Sequence, residues 1–161
     1  MRYSRAWYAV LLLARLLLAV CPAYIHPDEF FQAPEVVAGD VLGVDALRTW
    51  EFSLPAPVRS IVPIYLYAGA PMVLLKAAQA LLLRLAGWQL ELTPWRLLCA
   101  SRLFMVAVSL IIDVCVYRTL RRLNPGAQLR PTVLLLASSY CLGVLCCHTF
   151  ANAFAAAVLA A

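Results

Sequence analysis

The chain of 161 residues is 65% hydrophobic and only 13% charged, with a mean hydropathy of +0.86, and a soluble domain of this size could not hide that much apolar surface. It reads as an all-α integral membrane protein. The net charge of +5 comes from cations beside apolar runs, where they set orientation, and no basic stretch interleaves with aromatics on a polar face, so no nucleic-acid partner is expected. Cys21, Cys99, Cys115, Cys141, Cys146 and Cys147 lie mostly inside apolar runs. Without a C-x-x-C pair or ligand-like histidine spacing they read as small apolar fillers, not as a disulfide framework or a metal site.

Arg2 and Arg5 precede an apolar run over residues 6–25 that only Arg15 interrupts. A cleaved signal peptide shares this order, but Arg15 splits the run and no small-x-small site closes it. A first transmembrane helix is expected, with its amino terminus cytoplasmic. An arginine at mid-span is costly in lipid, so Arg15 is expected to point toward a polar site, to pair with a structural neighbour, or to snorkel to the interface.

Residues 26–60 change character, with His26, Asp28, Glu29, Glu35, Asp40, Asp45 and Glu51 among several prolines and glycines. They form the expected first non-cytoplasmic loop. Pro27 fits the start of a short juxtamembrane helix through Asp28-Glu29-Phe30-Phe31-Gln32 that ends near Pro34. On it Asp28 and Gln32 share a face, and Phe30 and Phe31 suit the membrane interface. His26, Asp28 and Glu29 are metal-ligand types, but adjacent side chains seldom converge on one ion without distant help, so no metal is expected.

Residues 61–86 are long and apolar enough to span, yet contain Pro63, Gly69, Pro71, Lys76, Gln79 and Arg84. If both 61–86 and 97–117 crossed, the cluster Arg118, Arg121, Arg122 and Arg130 would face away from the cytoplasm, against the positive-inside rule. The preferred arrangement is therefore re-entrant or interfacial helices over 61–86, broken at Pro71, with a span over 61–86 as the alternative. The span 97–117 carries Arg102 and Asp113, about three turns apart on nearly one face and too distant to pair with each other. Each is either a site residue or paired with another helix. Asn124-Pro125-Gly126 signals a turn, and 131–147 is a further span. It ends in Cys147-His148-Thr149-Phe150-Ala151-Asn152, on the same side as the acidic loop. Ala161 falls within another apolar run, so the chain reads as the amino-terminal part of a longer polytopic domain.

His26-Pro27-Asp28-Glu29 with Phe31-Gln32, Trp50-Glu51-Phe52, Arg59-Ser60, Arg102-Leu103, and Asp113 with Tyr117 together resemble the GPI-anchor mannosyltransferases of the endoplasmic reticulum. The H-P-D-E tetrapeptide directly after a first membrane helix is the specific part of the match. The resemblance implies a polytopic GT-C type helical bundle with a lumenal first loop, a dolichyl-phosphate-mannose donor, a GPI-precursor glycolipid acceptor and no cofactor. The longer match from Tyr24 to Val36, with Asp40-Val41-Leu42-Gly43 after it, implies addition of the fourth, alpha-1,2-linked mannose. The chain departs from the family pattern Thr-Arg-Thr-Phe-Ser-Asn-x-x-Glu, with His148 at the arginine position and Ala155 at the glutamate position. The isolated fragment is not expected to be active.

A beta-linked donor and an alpha-linked product imply a single inverting displacement, which needs a base at the acceptor hydroxyl and donors near the leaving phosphate. Asp28 is the expected base. Glu29, about 100° further round a helix, is expected to face elsewhere, either hydrogen-bonding a sugar or orienting a neighbour. His26 either orients a carboxylate, contacts phosphate or merely caps the loop. Arg59 and Arg102 suit the dolichyl phosphate, although Arg59 could instead pair with Glu35, Asp45 or Glu51. Trp50 offers a stacking face or an interfacial anchor, and Gln32, Glu51, His148 and Asn152 complete the candidate substrate contacts. Two other readings stay open: a non-catalytic membrane scaffold or transporter fragment, and a related mannosyltransferase acting on lipid-linked oligosaccharide.

Overall fold

The computed structural model describes residues 2–53, 55–123 and 129–160. The turn expected at Asn124-Pro125-Gly126 lies outside the described residues. Among those described, every regular element is helical. In chain order these are α1 (Arg2–Ala19), α2 (Asp28–Phe31), α3 (Pro34–Leu42), α4 (Val62–Ala86), α5 (Pro94–Leu123), α6 (Leu129–Ala137), α7 (Tyr140–Gly143) and α8 (Ala151–Ala160). Tight 3-10 turns add Trp50–Phe52 and Leu145–Cys147. The long helix α5 is central, touching α1, α4, α6 and α8. The largest buried cluster joins α3, α4 and α5 through Val37, Ile64, Tyr67, Met72 and Met105, and the Tyr67 ring lies 5.3 Å from that of Phe154 on α8.

Helix α1 buries Arg15 and Ala19 and leaves most of its large apolar side chains outside. Trp7, Val10, Leu13 and Leu17 face outward at spacings of three or four residues, whereas Arg15 is 2% exposed. A helix in water shows the opposite arrangement, and one facing hydrocarbon shows this one. α1 ends at Ala19, short of the expected limit at residue 25. Cys21 precedes Pro22, whose ring disfavours helical backbone in the preceding residue. The carbonyls of Cys21 and Ala23 instead accept from the two terminal nitrogens of Arg102, each at 2.7 Å.

The break expected at Pro71 is absent, because α4 runs unbroken from Val62 to Ala86. Just before the proline, Tyr65–Gly69 widens into a π-helical segment in which the Ala70 N–H bonds to the Tyr65 carbonyl, five residues back. The ladder is already shifted where Pro71 lacks its N–H and its ring would press on a carbonyl, so the helix continues. Gly87, at φ 65°, ends it in the left-handed conformation that glycine adopts without steric penalty. By length and composition α4 and α5 can each cross a membrane.

Two sets of contacts fix α1 and α5 as antiparallel. Arg15 on α1 meets Asp113 on α5, while the chain just beyond α1 meets Arg102, nearer the start of α5. The amino-terminal end of α1 and the Arg118, Arg121 and Arg122 end of α5 therefore lie at one end of the pair, and the turn carrying Asp28 lies at the other. The single span expected over 131–147 is not formed. α6 stops at Ala137, whose carbonyl accepts from Arg15 at 3.3 Å, and Ser139 caps α7 by accepting the Leu142 N–H. Beyond it the segments Tyr140–Cys147 and Ala151–Ala160 meet at 118°.

Candidate active site

The site is built on the turn between α1 and α2. Pro27 stands at the N-cap position with φ −52°, and α2 follows at Asp28, as expected from its fixed ring. Within one residue the two carboxylates separate. Glu29 is 0% exposed and accepts from Arg102 Nε at 2.7 Å, with Arg102 likewise 0% exposed. The second oxygen of Glu29 accepts the Ile25 N–H, and the Glu29 carbonyl accepts from Thr149 Oγ1 at 2.9 Å. Asp28, a helical step further round, keeps 49% of its side chain exposed. His26 lies beside it, Nδ1 to carboxylate oxygen 3.5 Å, and the same nitrogen accepts the Asp28 N–H at 3.3 Å. In the neutral ring this bond leaves the proton on Nε2.

One helical turn on from Asp28, Gln32 continues the site. Its side-chain oxygen accepts from Arg59, whose guanidinium also lies 3.2 Å from a Glu51 carboxylate oxygen. Glu51 holds this strand of loop by its backbone as well, since its carbonyl accepts the N–H groups of Val58 and Arg59. Gln32, Glu51 and Arg59, scattered over the loop in sequence, are thus brought together. Arg59, Arg48 and Ser60 line an open cleft of about 360 Å³. Arg48 pairs with Asp40, which also accepts the Tyr65 hydroxyl at 2.6 Å. The Tyr65 hydrogen bond, assisted by Arg48 and opposed by partial burial, holds the Asp40 carboxyl below the ordinary carboxylate range. Trp50 is exposed at the edge of the loop.

The hexapeptide at 147–152 does lie beside the acidic turn, through the Thr149 contact to Glu29. His148 is buried, its Nδ1 2.8 Å from the Val144 carbonyl, so that nitrogen is the donor. Asn152 is exposed at the start of α8 and, with Phe150 and Ala156, lines an apolar cleft of about 270 Å³. Ala155 lies on the exposed face of α8.

One expectation needs correcting here. Arg102 does not stand open to a phosphate, because each of its three nitrogens donates to protein and none of its side chain reaches solvent. Glu29 shares that buried pair. Arg15, in turn, points away from the site and pairs with Asp113 at 2.8 Å. Sequence reasoning gave no role to Thr149, although it stands within the singled-out hexapeptide. Nor did it identify Tyr8, whose hydroxyl donates to Asp113 at 2.7 Å and which no local pattern marks.

This arrangement can be set beside known proteins. Residues 6–161 match the model of the Alg9-like mannosyltransferase family. The chain belongs to that family. Among curated relatives it is 37% identical over 150 residues to the human GPI alpha-1,2-mannosyltransferase 4, covering 92% of this chain and 25% of the relative. GPI mannosyltransferase 4 of Aspergillus oryzae is 37% identical over 150 residues, with 92% and 26% covered, and that of Drosophila melanogaster 37% over 141 residues, with 86% and 20% covered. The chain therefore spans about a quarter of the length of these relatives. No solved structure matches it. For an Alg9-like mannosyltransferase the all-helical architecture agrees with the GT-C type bundle that the resemblance implied.

Proposed function

We propose that the protein transfers mannose from dolichyl-phosphate-mannose to a GPI-precursor glycolipid at the lumenal face of the endoplasmic reticulum membrane. The product is the fourth, alpha-1,2-linked mannose. The names of the relatives support the reaction class. The observation that carries the chemistry is the division of labour between adjacent carboxylates: Asp28 is accessible and held only beside His26, whereas Glu29 is sealed against Arg102. Asp28 accepts the proton of the acceptor hydroxyl once that oxygen is within about 2.6–3.2 Å. The hydroxyl oxygen then bonds to the anomeric carbon as the bond from that carbon to the phosphate oxygen breaks, inverting the beta donor to an alpha product.

A phosphate leaving group needs little protonation, so one base suffices and no second carboxylic acid is required. Its negative charge calls for fixed donors. Arg59, with Arg48 on the wall of the same cleft, supplies them, and arginine's planar fork suits phosphate oxygens. The orientation follows from the antiparallel α1 and α5, which group the Arg118, Arg121 and Arg122 end with the amino terminus on the cytoplasmic side. On this reading α4 begins and ends on the lumenal side.

Replacing Asp28 by Asn in the whole protein and measuring transfer from dolichyl-phosphate-mannose tests the assignment. Loss of a positioned general base lowers the rate by about 10²–10⁴-fold. Transfer at the parent rate would remove Asp28 from the role of base.

A further inference from the structure

We infer that Arg102 is a positioning residue for the transfer reaction, a role that rests on the reading of Asp28 as the base. Its guanidinium reaches three acceptors on one stretch of chain: the Cys21 and Ala23 carbonyls at 2.7 Å and the Glu29 carboxylate at 2.7 Å. These contacts bracket His26, Pro27 and Asp28. The loop carrying the base is therefore gripped at both ends by a single side chain, and that side chain springs from α5, a helix of 30 residues.

The remaining contacts close the same grip. The Ile25 N–H bonds to Glu29 Oε2, which ties the middle of the turn to the clamped carboxylate. Thr149 Oγ1 donates to the Glu29 carbonyl as well, at 2.9 Å. With Glu29 pinned inward, the helical step to the preceding residue sends Asp28 outward, so the burial of one carboxylate produces the exposure of the other. The pair is also electrically closed. One guanidinium charge meets one carboxylate charge, and two neutral carbonyls take the other two nitrogens, so no charge is left over in the buried site.

Arginine is required by this geometry and not only by its charge. Three acceptors at separate positions are met by three nitrogens of a rigid planar fork, whereas a lysine offers one nitrogen on a flexible stem. The buried pair Arg15–Asp113 provides a contrast. It also joins the α1 region to α5, but its contacts run to Tyr8, Ser109 and Ala137, and none touches residues 21–29.

The test uses Arg102→Lys in the whole protein, embedded in microsomes and normalised to folded enzyme. It measures kcat, the KM for dolichyl-phosphate-mannose, and hydrogen exchange of the peptide covering residues 21–32. A displacement of about 1 Å at a reacting group costs about 10²-fold in rate. The expected result is a kcat lowered by about 10²-fold, a donor KM within about twofold of the parent, and faster exchange across 24–29. An unchanged kcat with unchanged exchange overturns the inference, and so does a raised donor KM at unchanged kcat, which would make Arg102 a ligand of the donor. If the lysine variant fails to accumulate, Glu29→Gln serves instead, since it keeps the shape of the contact and removes the charge. It is expected to show the same pattern with a smaller loss in kcat, about 10-fold, and parent-like behaviour overturns the inference. Asp28→Asn, measured alongside, separates the two readings. Full transfer by that variant with a slowed and loosened Arg102→Lys removes Asp28 as base and leaves the clamp standing. An inactive Asp28→Asn with a parent-like Arg102→Lys removes the clamp alone.

Discussion

Asp113→Ala tests the interior of the bundle most severely. Arg15 and Asp113 are 2% and 3% exposed and meet at 2.8 Å and 3.3 Å through two nitrogens, while Tyr8 donates to the same carboxylate. Truncating the carboxylate leaves Arg15 with only the Ser109 hydroxyl at 3.2 Å and the Ala137 carbonyl at 3.3 Å, neither of which carries a charge to balance it. Removing one partner of a buried ion pair costs about 3–5 kcal/mol, and replacing both by apolar groups of similar volume is often neutral or stabilising by about 1–4 kcal/mol. At about 1.4 kcal/mol for each factor of ten, the single change lowers the folded population relative to the unfolded by about 10²-fold to about 4 × 10³-fold. The readout is monodisperse protein remaining after graded heating in detergent, for the parent, Asp113→Ala and the double variant Arg15→Leu with Asp113→Leu. A large loss for the single variant and recovery of most of it in the double is expected. Parent-like melting of Asp113→Ala, or a double variant as weak as the single, would refute the uncompensated-charge argument.

Two further outcomes concern the loop and the orientation. Asp40 has a folded-state pKa below its ordinary value of 3.8, the Tyr65 hydrogen bond being the first cause. A depressed carboxyl stabilises the fold above its unfolded pKa and loses that contribution as pH falls through the lower folded value. The α3 segment should therefore stay protected from hydrogen exchange down to about pH 3.8 and loosen only below it, whereas Asp40→Asn should exchange faster at neutral pH and lose the acid step. An acid step unchanged in Asp40→Asn would assign it to another group. An Asn-x-Thr glycosylation acceptor engineered at residues 124–128 should remain unmodified in microsomes, and one at 44–48 should be glycosylated. The opposite pattern would invert the orientation of α5.

The local structure of the candidate site was legible in sequence because Asp28, Glu29, Gln32 and Pro27 fall within six residues, and their helix starts at the expected proline. Arg15, Arg102 and Asp113 were also legible as charges that must face protein, since an apolar run makes them conspicuous. Their partners were not legible. Arg102 meets Glu29 across 73 residues and Arg15 meets Asp113 across 98, and nothing in either local pattern specifies such a match. Hydropathy also misjudged where helices stop. The run 131–147 is apolar on average, but Ser139 offers a cap that the average ignores, and the Ala137 carbonyl is claimed by Arg15. At Pro71 the opposite error arose, because a π-helical segment built from Tyr65–Gly69 has no signature in residue type.

The order in which the chain is made gives the Arg15–Asp113 pair a further consequence. On the topology proposed above, α1 leaves the ribosome before α5, carrying an arginine that on the insertion scale costs about 2.5–3.5 kcal/mol at mid-span, against a gain of roughly 0.3–0.6 kcal/mol for each good apolar residue. Its counter-charge is 98 residues away, which at about 5–20 residues per second is roughly 5–20 seconds of synthesis. Through that interval α1 holds an unneutralised cation, so its membrane insertion is marginal until α5 emerges beside it. The two helices are therefore completed as a unit, and the turn bearing Asp28 takes its final shape only after α5 delivers Arg102.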